Sequence, residues 1–415
     1  MLLTKFRWWL LTLLSLSYGL SQAQEFSHET SLRWRYHEVR DPVRGDARAH
    51  TLRAAVGGQW TLDSWLVKAE LEGVAAFEDD YNSVTVTRPT SPIPDPQGLE
   101  LNQLFLRYDS SANWVLDMGR QTLALAEERH VSPASIWQND QTFDALSFNY
   151  RDLMHWSFQY SYLHGVNRIF GSDADPLLPE NDIRYETDPQ RPVGEWGRHR
   201  HQSHLLHLTY KHGPGLSVSS YLYSLDNQDA AIFSTNTLGL RLEHVFKPAS
   251  VKYEYSLELA HQWDKADNPW DYHADFYVIE VGAQYQSHQL SLAQERRGQQ
   301  NGFAFITPLG DNHRYLGWAD LFSGYQISLG IRDTFATYRG RSGKLRWRLV
   351  AHEFSGLSDS LRIGHELDLE LAYRFDRKWE GKMVLARYWA DQGYPGLTHT
   401  TEDLTSWFLS LSYNL

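Results

Sequence analysis

The 415-residue sequence contains no cysteine, which excludes a disulfide scaffold and any thiolate metal site. Beyond about residue 20 it lacks an apolar run of the roughly 20 residues that a membrane-crossing helix requires, so a bundle of transmembrane helices is excluded. Aromatics are not scarce. Its 16 Trp, 23 Tyr and 18 Phe are too many for a disordered chain. Yet the mean hydropathy is −0.51 and the formal net charge is −12. Length alone suggests two or three soluble domains, and the segment pattern argues against that.

The N-terminus reads as an export signal. Lys5 and Arg7 precede a mostly apolar stretch, Trp8–Leu20, and Ser21-Gln22-Ala23 offers small residues for cleavage. That stretch spans roughly 20 Å as a helix, against a hydrocarbon core of about 30 Å, so a membrane anchor is disfavoured. Residues 1–23 are expected to be removed, leaving 24–415 as one domain.

Past Gln24 one theme recurs: about 9–14 residues of alternating character, then a turn. Leu32, Trp34 and Tyr36 alternate with Arg33, Arg35 and His37. Tyr253, Tyr255, Leu257 and Leu259 alternate with Lys252, Glu254, Ser256 and Glu258. Leu367, Leu369, Leu371 and Tyr373 alternate with Glu366, Asp368, Glu370 and Ala372. Period two means strands with two unlike faces. A soluble β-sandwich gives the same alternation, but three features favour a barrel in a membrane. The strands approach the 9–11 residues that cross a bilayer at a tilt. Trp and Tyr load the apolar face near strand ends, like the aromatic girdles of outer-membrane barrels. Tight turns at Leu62-Asp63, Ser110-Ser111, Arg151-Asp152 and Gly213-Pro214 alternate with long connections at 79–97, 121–139, 165–198 and 264–272. The expected fold is all-β: a transmembrane antiparallel β-barrel of about 18 strands, with short periplasmic turns and long extracellular loops. The last strand, Trp407–Leu415, closes it and ends in Leu.

On the polar faces, basic residues recur at Arg33, Arg35, Arg53, Lys68, Arg107, Arg241, Lys252, Arg346 and Arg348. Acidic ones recur at Glu70, Glu254, Glu366, Asp368 and Glu370. Charges on a lumen wall tune what passes, and guanidinium groups recognise carboxylate and phosphate bidentately. The alternative for each residue is mutual neutralisation across strands. Two long connections also carry chemistry-bearing side chains. Glu127, Glu128, Arg129 and His130 lie between strands ending at Gly119-Arg120-Gln121 and starting at Thr142-Phe143-Asp144, and read as a charged loop at a pore mouth. His313, Tyr315 and Asp320 lie in the irregular stretch 298–326, either a surface loop or a segment folded into the lumen; a packed constriction is expected there. Arg198-His199-Arg200-His201 reads as a solvated lip of the 165–198 loop. No phosphate-cradling glycine loop, no nucleophile elbow and no zinc spacing occurs, so neither a catalytic residue nor a metal or cofactor is expected.

Several blocks together resemble the bacterial alginate-export family of outer-membrane porins. These are Gly119-Arg120-Gln121, Arg129, Trp137-Gln138 and Thr142-Phe143-Asp144, then Pro308, His313-Arg314-Tyr315-Leu316-Gly317 and Asp320-Leu321-Phe322, then Gly364-His365-Glu366-Leu367-Asp368. They occur in family order across the chain. The resemblance implies a basic lumen that passes an anionic polysaccharide, with Arg120 and Arg129 lining the pore, loops partly closing it, and periplasmic scaffold proteins assisting. The expected function is a channel, not an enzyme, for anionic polysaccharide, oligosaccharide or other carboxylated solutes. Its expected partners are outer-membrane lipid and that solute, with no nucleic acid, and the chain is expected to act as a monomer. The alternatives are an outer-membrane enzyme and a non-conducting structural barrel.

Overall fold

The computed structural model describes residues 24–415 except 79, 111, 323–326 and 359; the proposed signal segment 1–23 lies outside the described residues. Eighteen antiparallel strands form one sheet. The first seven are β1 (Gln24–Arg40), β2 (Ala47–Leu62), β3 (Trp65–Glu78), β4 (Gly98–Asp109), β5 (Trp114–Gln121), β6 (Thr142–Leu153) and β7 (Trp156–Asn167). Next come β8 (Arg198–His212), β9 (Leu216–Leu225), β10 (Thr235–Phe246), β11 (Val251–Asp264), β12 (His273–Tyr285) and β13 (His288–Arg297). The two-residue strands β14 (Gln299–Gln300) and β15 (Phe303–Ala304) make a small separate hairpin. The barrel resumes with β16 (Ile331–Ser342), β17 (Leu345–Ser355), β18 (Arg362–Arg374), β19 (Trp379–Ala390) and β20 (Leu404–Asn414). Each barrel strand pairs with its sequence neighbour, and β20 closes on β1 in a register running from Ser31↔Asn414 to Arg40↔Thr405. Among the described barrel strands no edge is left unpaired, so each can face hydrocarbon.

The alternation assigns the faces. Leu257, Val281 and Leu292 stay 39%, 51% and 58% exposed on one face, while their neighbours Glu258, Glu295 and Ser291 are buried on the other. Such exposure of aliphatic side chains is costly in water and favourable in lipid, at about 25 cal/mol per Å². Below that belt, at the short-turn end, outward rings touch across strands. Trp65 meets Tyr108 at 4.7 Å, Trp156 meets Tyr210 at 4.8 Å, and Trp379 meets Tyr413 at 4.9 Å between centroids. That ring is an interfacial girdle. One expected turn moves: β6 runs through Arg151-Asp152, and the reversal comes at Met154-His155, where both residues have positive φ.

The apolar cores lie inside the barrel, toward the long-loop end. Leu316, Trp318, Leu321 and Phe322 pack on Val350, Phe354, Ile363, Tyr388 and Phe408 of the wall. Leu123, Leu125 and Val131, with Phe305, Ile306 and Leu309, pack on Phe143, Leu163, Leu205, Tyr221 and Phe276. Burying each large side chain contributes about 2 kcal/mol. Two long connections therefore fold inward rather than out into solvent.

Candidate functional site: a lumen narrowed by infolded loops

The infolded segments are 122–141 and 305–322, and they are knitted together. Val131 and Leu309 form a bridge, Ser132 N–H donates to the Leu309 carbonyl at 2.9 Å, and Asp311 N–H donates to that of Glu128 at 2.9 Å. Arg129, expected at a pore mouth, is instead buried in this junction. Its guanidinium pairs with Glu295 of β13 and covers the Tyr315 ring at 3.7 Å. Burial opposes that charge, but Glu295 and the neighbouring acids outweigh it and hold Arg129 protonated above its ordinary range. The Tyr315 hydroxyl donates to the Glu127 carbonyl. Within the second loop His313 Nδ1 meets Asp320 Oδ2 at 2.8 Å, and its ring stands edge-on to Trp137 at 5.4 Å. Burial disfavours the His313 cation, yet Asp320 and Asp311 raise its pKa above 6.5. Glu366 of β18 accepts the Ala319 N–H at 2.9 Å, which pins the second loop to the wall. Gly317 sits there at φ +85°, and an added Cβ would come within 2.7 Å of the Glu366 carboxylate.

The inward charges are largely committed. Arg33 donates to Gln138 Oε1 at 2.7 Å, to the Ser135 carbonyl at 2.8 Å and to the Trp137 carbonyl. Arg35 binds Asp95 at 3.2 Å and lies over the Phe408 ring at 4.5 Å. Asp95 also accepts the Gln138 N–H at 2.7 Å, so the 80–97 connection joins the same scaffold. Arg53 bridges Glu72 and Asp140. Arg241 binds Glu258, Glu243 and Glu127 at 3.0, 3.1 and 2.9 Å. Lys68 pairs with Glu29, Arg107 with Asp117, Lys252 with Glu254, and Arg346 with Glu380. Arg348 reaches Glu370 at 3.5 Å and lies over Trp318 at 4.3 Å. Glu70 accepts from Asn102 at 2.7 Å, and Asp368 faces His352 at 3.4 Å. Several of these side chains therefore anchor the loops, and others pair across strands.

The loops divide the lumen. On the long-loop side lies a cavity of about 480 Å³, lined by Ala134, Trp137, Asp311, His313, Asp320 and Phe170 among others. On the short-turn side, Ser135 and Ile136 line a second cavity of about 500 Å³, while Arg129, Tyr315, Leu316 and Trp318 line a third of about 230 Å³. Residues 134–137 and 311–318 thus contribute to both sides of one partition. The second cavity is strongly basic. Arg33, Arg35, Arg374, Arg377, Lys378 and Lys382 line it, against Asp376 and Glu380 alone among acids. The third mixes both signs, with Glu127, Glu243, Glu254, Glu280, Glu295 and Asp333 facing Arg129, Arg241, Arg314, Arg339 and Arg348.

Two further sequence readings need correction. Arg120 does not line the lumen. It pairs in register with Leu104, which is 46% exposed to the outside, and shares a strand face with the outward Met118. Gly119, at φ +127°, is the inward residue, where a Cβ would collide with the Leu104 carbonyl and Phe105. The Arg198–His201 run is not a solvated lip but the start of β8. His199 and His201 are buried inward, and Arg198 and Arg200 point outward.

Arg374 at the end of β18, Arg377 and Lys378 in the turn that follows, and Lys382 on β19 are not singled out by the sequence pattern, although the local run Arg374-Phe375-Asp376-Arg377-Lys378 is visible there. Among the described residues no group of three or more His, Asp or Glu side chains is arranged to hold a metal ion.

No protein-family model matches the sequence, and no curated protein matches it. Solved structures do match over nearly the whole chain. Acinetobacter baumannii OccAB2 superposes with a TM-score of 0.69 at 13% identity, covering 94% of this chain and 98% of that one. Pseudomonas aeruginosa OccD3 (OpdP) gives 0.66 at 12% identity, over 96% and 92%. The outer membrane protein opdK from Pseudomonas aeruginosa gives 0.58 at 13%, over 94% and 98%. The fold is therefore that of the Occ/Opd outer-membrane porins, and none of these matches points to the alginate-export family in particular.

Proposed function

We propose that this chain is a bacterial outer-membrane channel for carboxylated solutes, acting as a single-chain pore with its short turns in the periplasm. The observation that carries this reading is the basic cavity beneath the partition, where Arg33, Arg374, Arg377 and Lys378 face Asp376 and Glu380, with Arg35 paired to Asp95 and Lys382 to Glu370. In a narrow, low-dielectric passage such an imbalance raises the local concentration of anions. The fold supports a channel by likeness to the porins. A long anionic polysaccharide, aided by periplasmic scaffold proteins, is the second reading. It rests on the alginate-export sequence blocks, and the infolded loops weigh against it.

The test is reversal potential in planar bilayers under a KCl gradient, with a small carboxylate and a polyuronate added in turn as blockers. Anion preference, with block by the small carboxylate, is the expected result. Neutralising Arg374, Arg377 and Lys378 together should bring selectivity close to that of a neutral pore. Unchanged selectivity would place the path elsewhere, and block by polyuronate alone would favour the polymer. Lipid or peptide turnover abolished by one substitution would replace the channel with an enzyme. Absence of any conductance would favour a structural barrel.

A further inference from the structure

The outer face carries a charge arrangement that channel function does not use. Arg120 of β5 grips Asp144 of β6 with Nε at 2.7 Å and Nη2 at 3.2 Å, and Arg198 of β8 reaches the same carboxylate at 3.1 Å. Two guanidinium groups thus share one carboxylate on the outside of the wall; Arg120 also donates through Nη1 to the Leu101 carbonyl at 3.1 Å and lies within electrostatic reach of Glu100. Asn167 donates to Asp144 as well, at 3.4 Å. Two residues further along β8, Arg200 is held by Asp229 at 2.6 Å and remains 71% exposed.

The position matters as much as the charge. Two residues from Arg120 along β5 is Met118, 57% exposed, and two from Asp144 along β6 is Leu146, 40% exposed. The cluster therefore sits on the margin of the apolar belt, at the end of the barrel that carries the long loops. A guanidinium bound to one carboxylate keeps further N–H donors, and their fork geometry suits phosphate oxygens. Aliphatic surface directly beneath suits acyl chains.

We propose that Arg120 and Arg198 bind the phosphate of a phosphorylated, multiply acylated glycolipid of the outer leaflet. Asp144 orients the two guanidinium groups, and the surface around Met118 and Leu146 receives the acyl chains. Arg200, ion-paired with Asp229, lies beside them.

Native mass spectrometry of the detergent-purified barrel with bisphosphorylated lipid A tests this. Dephosphorylated lipid A and phosphatidylglycerol serve as comparison ligands. Arg120→Gln/Arg198→Gln is expected to lower bound lipid A at least fivefold and to leave the dephosphorylated ligand unaffected. Heat-modified gel mobility reports that the variant is folded. The bilayer reversal potential should stay at the wild-type value, which separates failure here from failure of the channel reading. Equal lipid A binding by variant and wild type overturns the proposal. So does an equal loss with the dephosphorylated ligand, and so does phosphatidylglycerol binding with the same affinity and the same loss.

Discussion

Replacing Arg129 with Met tests whether the partition is held by its buried charge. The substitution keeps apolar bulk against the Tyr315 ring but removes the guanidinium that pairs with Glu295 and stacks at 3.7 Å. Breaking a buried ion pair by deleting one partner costs about 3–5 kcal/mol. Arg297 still holds Glu295 at 2.9 Å, so the lower bound of about 3 kcal/mol applies. Loss of the desolvated cation–π contact adds about 1–2 kcal/mol. At about 1.4 kcal/mol per tenfold, the balance between seated and unseated loops moves by roughly three orders of magnitude. The strand ladder is untouched, so the barrel itself should still form and show its folded gel mobility. Single-channel recording in bilayers reads the effect: larger mean conductance and frequent transitions between levels. A conductance histogram indistinguishable from wild type would refute the idea that Arg129 seats the constriction.

Three further predictions address faces and loops. Leu257→Arg places a charge in the lipid belt and should destabilise folding into vesicles by about 2–4 kcal/mol, read by urea titration. Ser256→Arg, one residue away on the inner face, should cost far less, and equal penalties would contradict the face assignment. His313 is raised above 6.5 by Asp320 and Asp311 despite burial, so its pair stabilises the loop below the unfolded value and loses that contribution as pH rises through the folded one. Current fluctuations should therefore grow as the pH rises above about 6.5, and a His313→Gln channel whose noise still tracked pH would assign the effect elsewhere. Gly317→Ala, at φ +85° beside Glu366, should cost about 1–2 kcal/mol in backbone strain and reproduce part of the Arg129→Met behaviour; wild-type conductance would show that Gly317 is not needed for the seat.

The sequence by itself determined the barrel. Period two is a local property of the strand, so Leu257 against Ser256 already separates lipid from lumen, and all 18 barrel strands follow from such runs and the turns between them. Parity even places Arg120 outward with Leu116 and Met118, against what the family resemblance implied. What only the tertiary structure decided is where the long connections go and which charges remain available. Arg129 meets Glu295 across 166 positions, and Arg33 meets Gln138 across 105. Such partners share no local pattern, because a loop has no period and its course is set by the cavity it fills. The basic cavity is likewise assembled from β1, the β18–β19 hairpin, β20 and residues 135–136, which closure of the barrel brings together. Physically, backbone geometry fixes a strand's two faces residue by residue, whereas the selectivity of a lumen depends on charges that meet only once the barrel has closed.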